Sequence, residues 1–210
     1  LGAALFQLGI VVALFHDCGY IRNKRDVRHR CGAEYTLHHV SRAARFLERY
    51  LPAIGLAEFV PAAISIVHFT GFEIPVEKIT VPAPIFRQLG NLLGSADIIS
   101  QMADRCYLEK CRDRLYPEFV LGGIARRQGP DGSEEVVFAS AADLVNKTPG
   151  FYKTATRRLK ITLEGACQYA EQHFAGPNLY LEEINRNISY AQRIAEAGDV
   201  SLLRRHPPGS

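Results

Sequence analysis

Leu14-Phe15-His16-Asp17-Cys18-Gly19-Tyr20 closes an apolar run that starts at Leu1 and carries one polar side chain, Gln7. A polar pair is costly there. An unpaired carboxylate at the end of a buried helix costs on the order of several kcal/mol, so it is expected to be protonated, salt-bridged or bound to a metal. Outward from this pair, His38-His39, His68 and Asp97 each fall on a segment that reads as helical. Four helices that bring imidazoles and carboxylates to one point would build a metal centre.

The periodicities predict a mainly α fold. Leu1 to Asp17 reads as a buried core helix. From Glu34 to Tyr50, Leu37, Val40, Ala44 and Leu47 recur at spacings of three and four, the pattern of an amphipathic helix. Pro52 and Gly55 end it, and Leu56 to Phe69 forms the next helix. Pro75, Pro82 and Pro84 mark Gly71 to Pro84 as a loop. A long helix is expected from Ile85 to Cys111, with Gly90 and Gly94 allowing close backbone approach. Beyond Pro117, Phe119 to Ile124 and Glu135 to Phe138 flank Gly129-Pro130-Asp131-Gly132, a turn signal that predicts a small β-hairpin. Helices over Tyr152 to Phe174 and Leu179 to Glu196 follow. The expected division is a metal-binding helical domain over 1–116, an accessory hairpin and helices over 117–203, and a disordered tail over 204–210.

Composition bounds the function. The 210 residues, 47% of them hydrophobic, suffice for one compact domain or a domain with an appendage. A net charge of +3 is too weak to argue for nucleic acid. Five cysteines without a CxxC pair fit reduced thiols in a cytoplasmic protein rather than a disulfide framework or a zinc ribbon. Leu1 to Phe15 is expected to be too short to span a bilayer, and it lacks the basic flank and cleavage site of a signal peptide. No Walker loop, GxGxxG or GxSxG is present, so nucleotide-fold and serine-hydrolase readings have no support.

The candidate ligands differ in strength. His16 and Asp17 are adjacent on a helix and point about 100° apart, so they can serve one ion from two sides, or Asp17 can bridge two. One of His38 and His39 is read as a ligand and the other as a neighbouring or substrate-facing group. With His39 as the ligand, His38 joins Asp17 as a catalytic candidate. His68 ends the apolar run Ala62 to Val67, a setting in which a core histidine is the usual outcome. Asp97 stands mid-helix between Leu92-Leu93 and Ile98-Ile99, where a carboxylate is seldom buried without a partner. Between Ile21 and Arg49, eight basic residues face only Asp26, Glu34 and Glu48. Guanidinium groups suit phosphate oxygens through their planar donor fork, and Arg22 and Lys24, nearest the His-Asp turn, are the first candidates for the substrate phosphate.

The stretch Leu14 to Tyr20 resembles the hydrophobic-HD-x-G core of the HD-domain metal-dependent phosphohydrolases, and Ala96 to Tyr107 resembles the helix that carries their last aspartate ligand. The spacings agree: 23 positions from His16 to His39, then 29 to His68 and 29 to Asp97. In the members with two metals, two further histidines lie between the HD pair and the last aspartate, where His38 or His39 and His68 stand here. The resemblance covers about residues 8–110. Two departures accompany it. The family's first histidine, on a helix upstream of the HD pair, has no counterpart in residues 1–15, so that helix lies outside this sequence or the site lacks that ligand. The GYP signature of the cyclic-dinucleotide phosphodiesterases is absent, since Phe69-Thr70-Gly71-Phe72 follows His68.

The resemblance implies an HD-domain helical bundle that hydrolyses a phosphate ester or phosphodiester of nucleotide-like character. Its cofactor would be one or two divalent ions, His16, Asp17 and Asp97 binding one and His68 with His38 or His39 completing a second. Mixed imidazole and carboxylate ligation favours Mn, Fe, Ni or Zn over Ca, with Mg also admitted. The partner is a small phosphorylated substrate, with no membrane and no strong nucleic-acid signal, and a homo-oligomer is compatible. Two alternatives stand beside this reading: a non-catalytic HD module that binds a nucleotide or a partner protein, and a di-iron oxygenase that uses the same ligands.

Overall fold

The computed structural model describes residues 2–129 and 131–207. The chain is mainly helical, with one small antiparallel sheet. It divides into two compact units, Leu1–Ile98 with Arg158–Cys167, and Ile99–Arg157 with Gln168–Ser210. The division therefore falls inside a long helix and returns late in the chain, rather than near residue 116.

In the first unit, α1 (Ala3–Phe15) forms where expected, but it is not a buried helix. Leu8, Gly9 and Val12 are buried, whereas Phe6, Ile10 and Leu14 are exposed. A helix apolar on every side meets the core along only one stripe. By length and composition alone, Ala3–Tyr20 reaches what is needed to cross a membrane, which the sequence estimate placed out of reach.

Helix α2 (His39–Ala53) buries Val40, Ala43, Ala44, Leu47 and Leu51 along one face. It starts at His39 rather than near Glu34. The Glu73 carboxylate accepts the backbone N–H of Val40 at 2.7 Å and of Ser41 at 3.1 Å, and also the Ser41 hydroxyl. An anion over the free N–H groups of a first turn satisfies them and matches the helix dipole. That cap lies more than thirty residues along the chain and leaves no local signal. Gly55, with φ +78°, ends the helix in the left-handed region.

Helix α3 (Val60–Ile66) continues as a 3-10 turn over Val67–Phe69 and buries Ala62, Ala63, Ile66 and Phe69. Helix α4 (Pro84–Met102) then crosses Phe69. A Cβ on Gly90 would stand 2.6–2.8 Å from the Phe69 ring, and one on Gly94 3.1 Å from its carbonyl carbon. The two glycines thus provide the close approach that their spacing predicted. Asp97 follows at i+7 and i+3 from them, which places it on the same face.

The second unit departs more from expectation. Helix α4 stops at Met102, not near Cys111, because Asp104 caps the next turn. Its carboxylate accepts the Cys106 N–H at 2.7 Å and pairs with Lys110 at 2.6 Å. Asp104 therefore lies past the end of α4, inside the span expected to be helical as far as Cys111. Short helices α5 (Tyr107–Lys110) and α6 (Tyr116–Leu121) follow, so Phe119 to Leu121 is helical, not strand. The predicted hairpin is present with its first strand displaced beyond Ile124, β1 (Arg126–Gln128) against β2 (Glu134–Val136), with Arg127 opposite Glu135. Pro130 of its turn lies outside the described residues.

Helix α7 (Ala141–Arg157) begins well before Tyr152. Its start was legible: Ser140 accepts the Asp143 N–H while the Asp143 carboxylate accepts that of Ala139, two side chains capping the first turn. The predicted helix to Phe174 is broken by a turn at Leu163–Gly165, where Glu164 and Gly165 both have positive φ, and α8 covers only Tyr169–Phe174. Helix α9 (Leu179–Ala197) matches its prediction and buries Ile184, Ile188, Ala191 and Ile194. Of the tail expected to be disordered, Arg204–Pro207 are described: Arg205 N–H donates to the buried Glu109 at 3.2 Å. The remainder, Pro208–Ser210, lies outside the described residues. The five cysteines are free thiols.

Candidate metal centre

The end of α1 and the turn after it place His16 and Asp17. His16 caps α1, and its Nδ1 stands 2.7 Å from the Ala13 carbonyl. That bond puts the Nδ1 proton toward the backbone and turns Nε2 outward, 3.3 Å from Asp17 Oδ2 and 3.6 Å from Asp97 Oδ1. His39, the first residue of α2, repeats the device. Its Nδ1 meets the Thr36 carbonyl at 2.7 Å, and its Nε2 stands 3.6 Å from Asp17 Oδ1. Each imidazole therefore spends one nitrogen on a carbonyl and offers the other to carboxylates, the orientation that metal-binding histidines adopt.

Gly19 makes the approach of His39 possible. A Cβ at position 19 would lie 2.6 Å from the His39 carbonyl carbon and closer still to its oxygen. The glycine of the HD-x-G stretch is thus required by another backbone passing against it. Tyr20 stacks on the His39 ring at 4.3 Å. Arg42, which the sequence reading counted only as part of a basic stretch, clamps the turn by donating to the carbonyls of Gly19 (2.6 Å) and Ile21 (2.9 Å) while lying over Tyr35.

Electrostatics follow from this packing. Hydrogen bonds to Asp17 and then Asp97 raise the His16 pKa to about 10, outweighing burial. Burial pushes Asp17 up, but the His16 hydrogen bond and the charges of His16 and His39 hold its carboxyl below the usual value. Asp17 keeps 54% of its side chain exposed, against 24% for His16, 18% for His39 and 15% for Asp97. The cluster opens to solvent through Asp17.

Could these residues hold a divalent ion? Two donors about 2.1 Å from one ion and 100–120° apart stand about 3.2–3.6 Å from each other. The three N···O separations fall in that range, and two imidazoles with two carboxylates form a donor set for a first-row metal. The match is pairwise. Among the described residues, no group of three or more His, Cys, Asp or Glu is arranged to hold a metal ion as the side chains stand.

The other sequence candidates fall elsewhere. His38 is exposed at the N-cap of α2, edge-on to Tyr35. Among the described residues no ion pair or hydrogen bond joins His68 to the four. Its Nδ1 is buried without a partner, burial lowers its pKa against the opposing charge of Glu73, and it lines a groove of about 330 Å³ with Ala44, Ser65 and Ile79. Arg22 donates to the carbonyls of Asp26 (2.7 Å) and His29 (3.3 Å), so it braces its own loop. Lys24 is exposed. Arg158, far along the chain, was not read from the sequence. Its Nη2 donates to the carbonyls of Phe69 (2.8 Å) and Gly71 (2.6 Å) in the first unit. Nothing in the local sequence around it signals that placement.

No family model, curated protein or solved structure matches the chain. The HD resemblance therefore rests on its residues and their arrangement.

Proposed function

We propose that the protein is an HD-type, metal-dependent phosphohydrolase acting on a phosphate ester or phosphodiester of nucleotide-like character. One observation carries the reading: His16 and His39, fixed through Nδ1 on backbone carbonyls, present Nε2 to the two oxygens of Asp17, with Asp97 against the same His16 nitrogen. His16, Asp17, His39 and Asp97 would hold the ion. A bound divalent ion supplies a water of lowered pKa and polarises a phosphoryl oxygen. The chain's own part is orientation and proton handling. The carbonyls of Ala13 and Thr36 fix both tautomers, and Arg42 and Gly19 hold the turn that carries Asp17. The exposed edge of Asp17 lets a substrate approach. His38, exposed beside His39, would face that substrate.

Protein purified without chelators should carry a stoichiometric divalent metal and hydrolyse at least one member of a panel of nucleoside phosphates and cyclic dinucleotides with Mn or Mg. A metal-loaded protein inert on the whole panel supports the second reading, a non-catalytic binding module. That reading draws on the pairwise character of the cluster, since a protonated His16 between two carboxylates is satisfied without an ion.

A further inference from the structure

A phosphohydrolase site needs a cation for the substrate's phosphoryl oxygens, and the basic stretch after the HD turn does not supply its nearest arginines. Arg22 spends its guanidinium group on backbone carbonyls of its own loop, and Arg42 on those of the turn after α1. Arg158 differs in three respects. Its guanidinium is held by Nη2 on the Phe69 and Gly71 carbonyls, with Cζ 4.1 Å from the Phe72 ring centre. Its charge is unpaired, since Nε is buried without a hydrogen-bond partner and no carboxylate of a described residue stands at ion-pair distance. Its place is beside the cluster: the Phe69 carbonyl on which it rests is the one that Gly94 packs against, one helical turn before Asp97 on the same face of α4.

A half-buried guanidinium without a counter-ion is expensive. Burial lowers the Arg158 pKa, and only the more distant charges of Asp97 and Glu77 oppose this. The Asp97 charge is already shared with His16. Two backbone carbonyls would be served equally well by a neutral amide, so the charge itself needs a reason. Held flat and with its charge unpaired, such a group matches the oxygens of a phosphate. We infer that Arg158 is the anion-binding arm of the site, donating to a non-bridging oxygen of a phosphate held at the His16–Asp17–Asp97 cluster. The inference rests on the phosphohydrolase reading and names the residue that takes the phosphate.

The test uses the full chain loaded with Mn and inorganic phosphate as the probe, followed by calorimetry. Wild type should bind phosphate, and Arg158→Lys and Arg158→Gln should bind it at least about tenfold more weakly with unchanged metal content. A purely structural role would lower the melting temperature and leave phosphate affinity intact in the folded variant. Because both variants also loosen the Phe69–Gly71 turn, a wild-type measurement stands beside them. Phosphate should shield Arg158 from phenylglyoxal modification, read by mass spectrometry. Absence of phosphate binding, equal affinity in the variants, or no shielding overturns the assignment. Arg158-dependent phosphate binding without turnover of any ester would uphold the arm and refute the hydrolase.

Discussion

Gly19→Ala is the sharpest probe of how the cluster is built. The added Cβ would stand 2.6 Å from the His39 carbonyl carbon and 2.9 Å from its Cα. Ordinary carbon contacts are about 3.5–4.0 Å and the His39 carbonyl oxygen would stand closer still, so the HD turn and the start of α2 must part by more than about 1 Å. The neighbour is backbone, fixed by the Glu73 cap on one side and by Arg42 on the other, so no side chain can yield instead. Overpacking of this kind costs about 1–3 kcal/mol. For a chain of this length that lowers the melting temperature by roughly 2–12 °C. The same shift carries His39 Nε2 away from Asp17, and a displaced supporting contact typically weakens metal affinity about 10–100-fold. Thermal melts with and without Mn, together with metal content by mass spectrometry, read both effects. Gly19→Ala protein with wild-type melting temperature and full metal content would refute the packing account and with it the role given to the glycine.

Asp17→Ala should lose its metal and the stabilisation that metal confers. At a free metal concentration of 100 times Kd, wild type gains about 2.7 kcal/mol, and the variant's melting temperature should not respond to Mn; a retained stoichiometric ion removes Asp17 from the ligand set. The metal must displace the proton held on His16, whose pKa is raised to about 10. Apparent metal affinity should therefore strengthen by up to about tenfold per pH unit between pH 6.5 and 8.5, and a flat profile by titration calorimetry contradicts it. In metal-free protein the sign reverses: the raised pKa contributes stability that is full below about pH 6.5 and fades as pH climbs toward 10. Gly150→Ala offers a positive control, since α7 leaves open space around that position. It should stabilise by about 0.5–1 kcal/mol through helix propensity, and a lower melting temperature would show that the helix interior is not as open as described.

What was legible in the sequence is what neighbours along the chain decide. The period of α2, the extent of α9 and the turn residues of the hairpin all follow from local backbone and burial preferences, and each element formed. The HD pair stood out because a carboxylate after an apolar run needs a partner, and Gly90 and Gly94 announced a close approach. Ser140 and Asp143 carried a capping signal for α7 in plain view. What no local reading could decide is which distant groups meet. Glu73 sets where α2 begins and so places His39, not His38, against Asp17. Asp104 ends α4 by turning on its own backbone, and Arg158 arrives from a segment more than sixty residues beyond Asp97. Local preferences select helix or turn from the residues within a few positions. The pairing of a charge with its partner is settled only when packed helices bring segments together in space, because the energy of that contact depends on distance and burial and not on sequence separation.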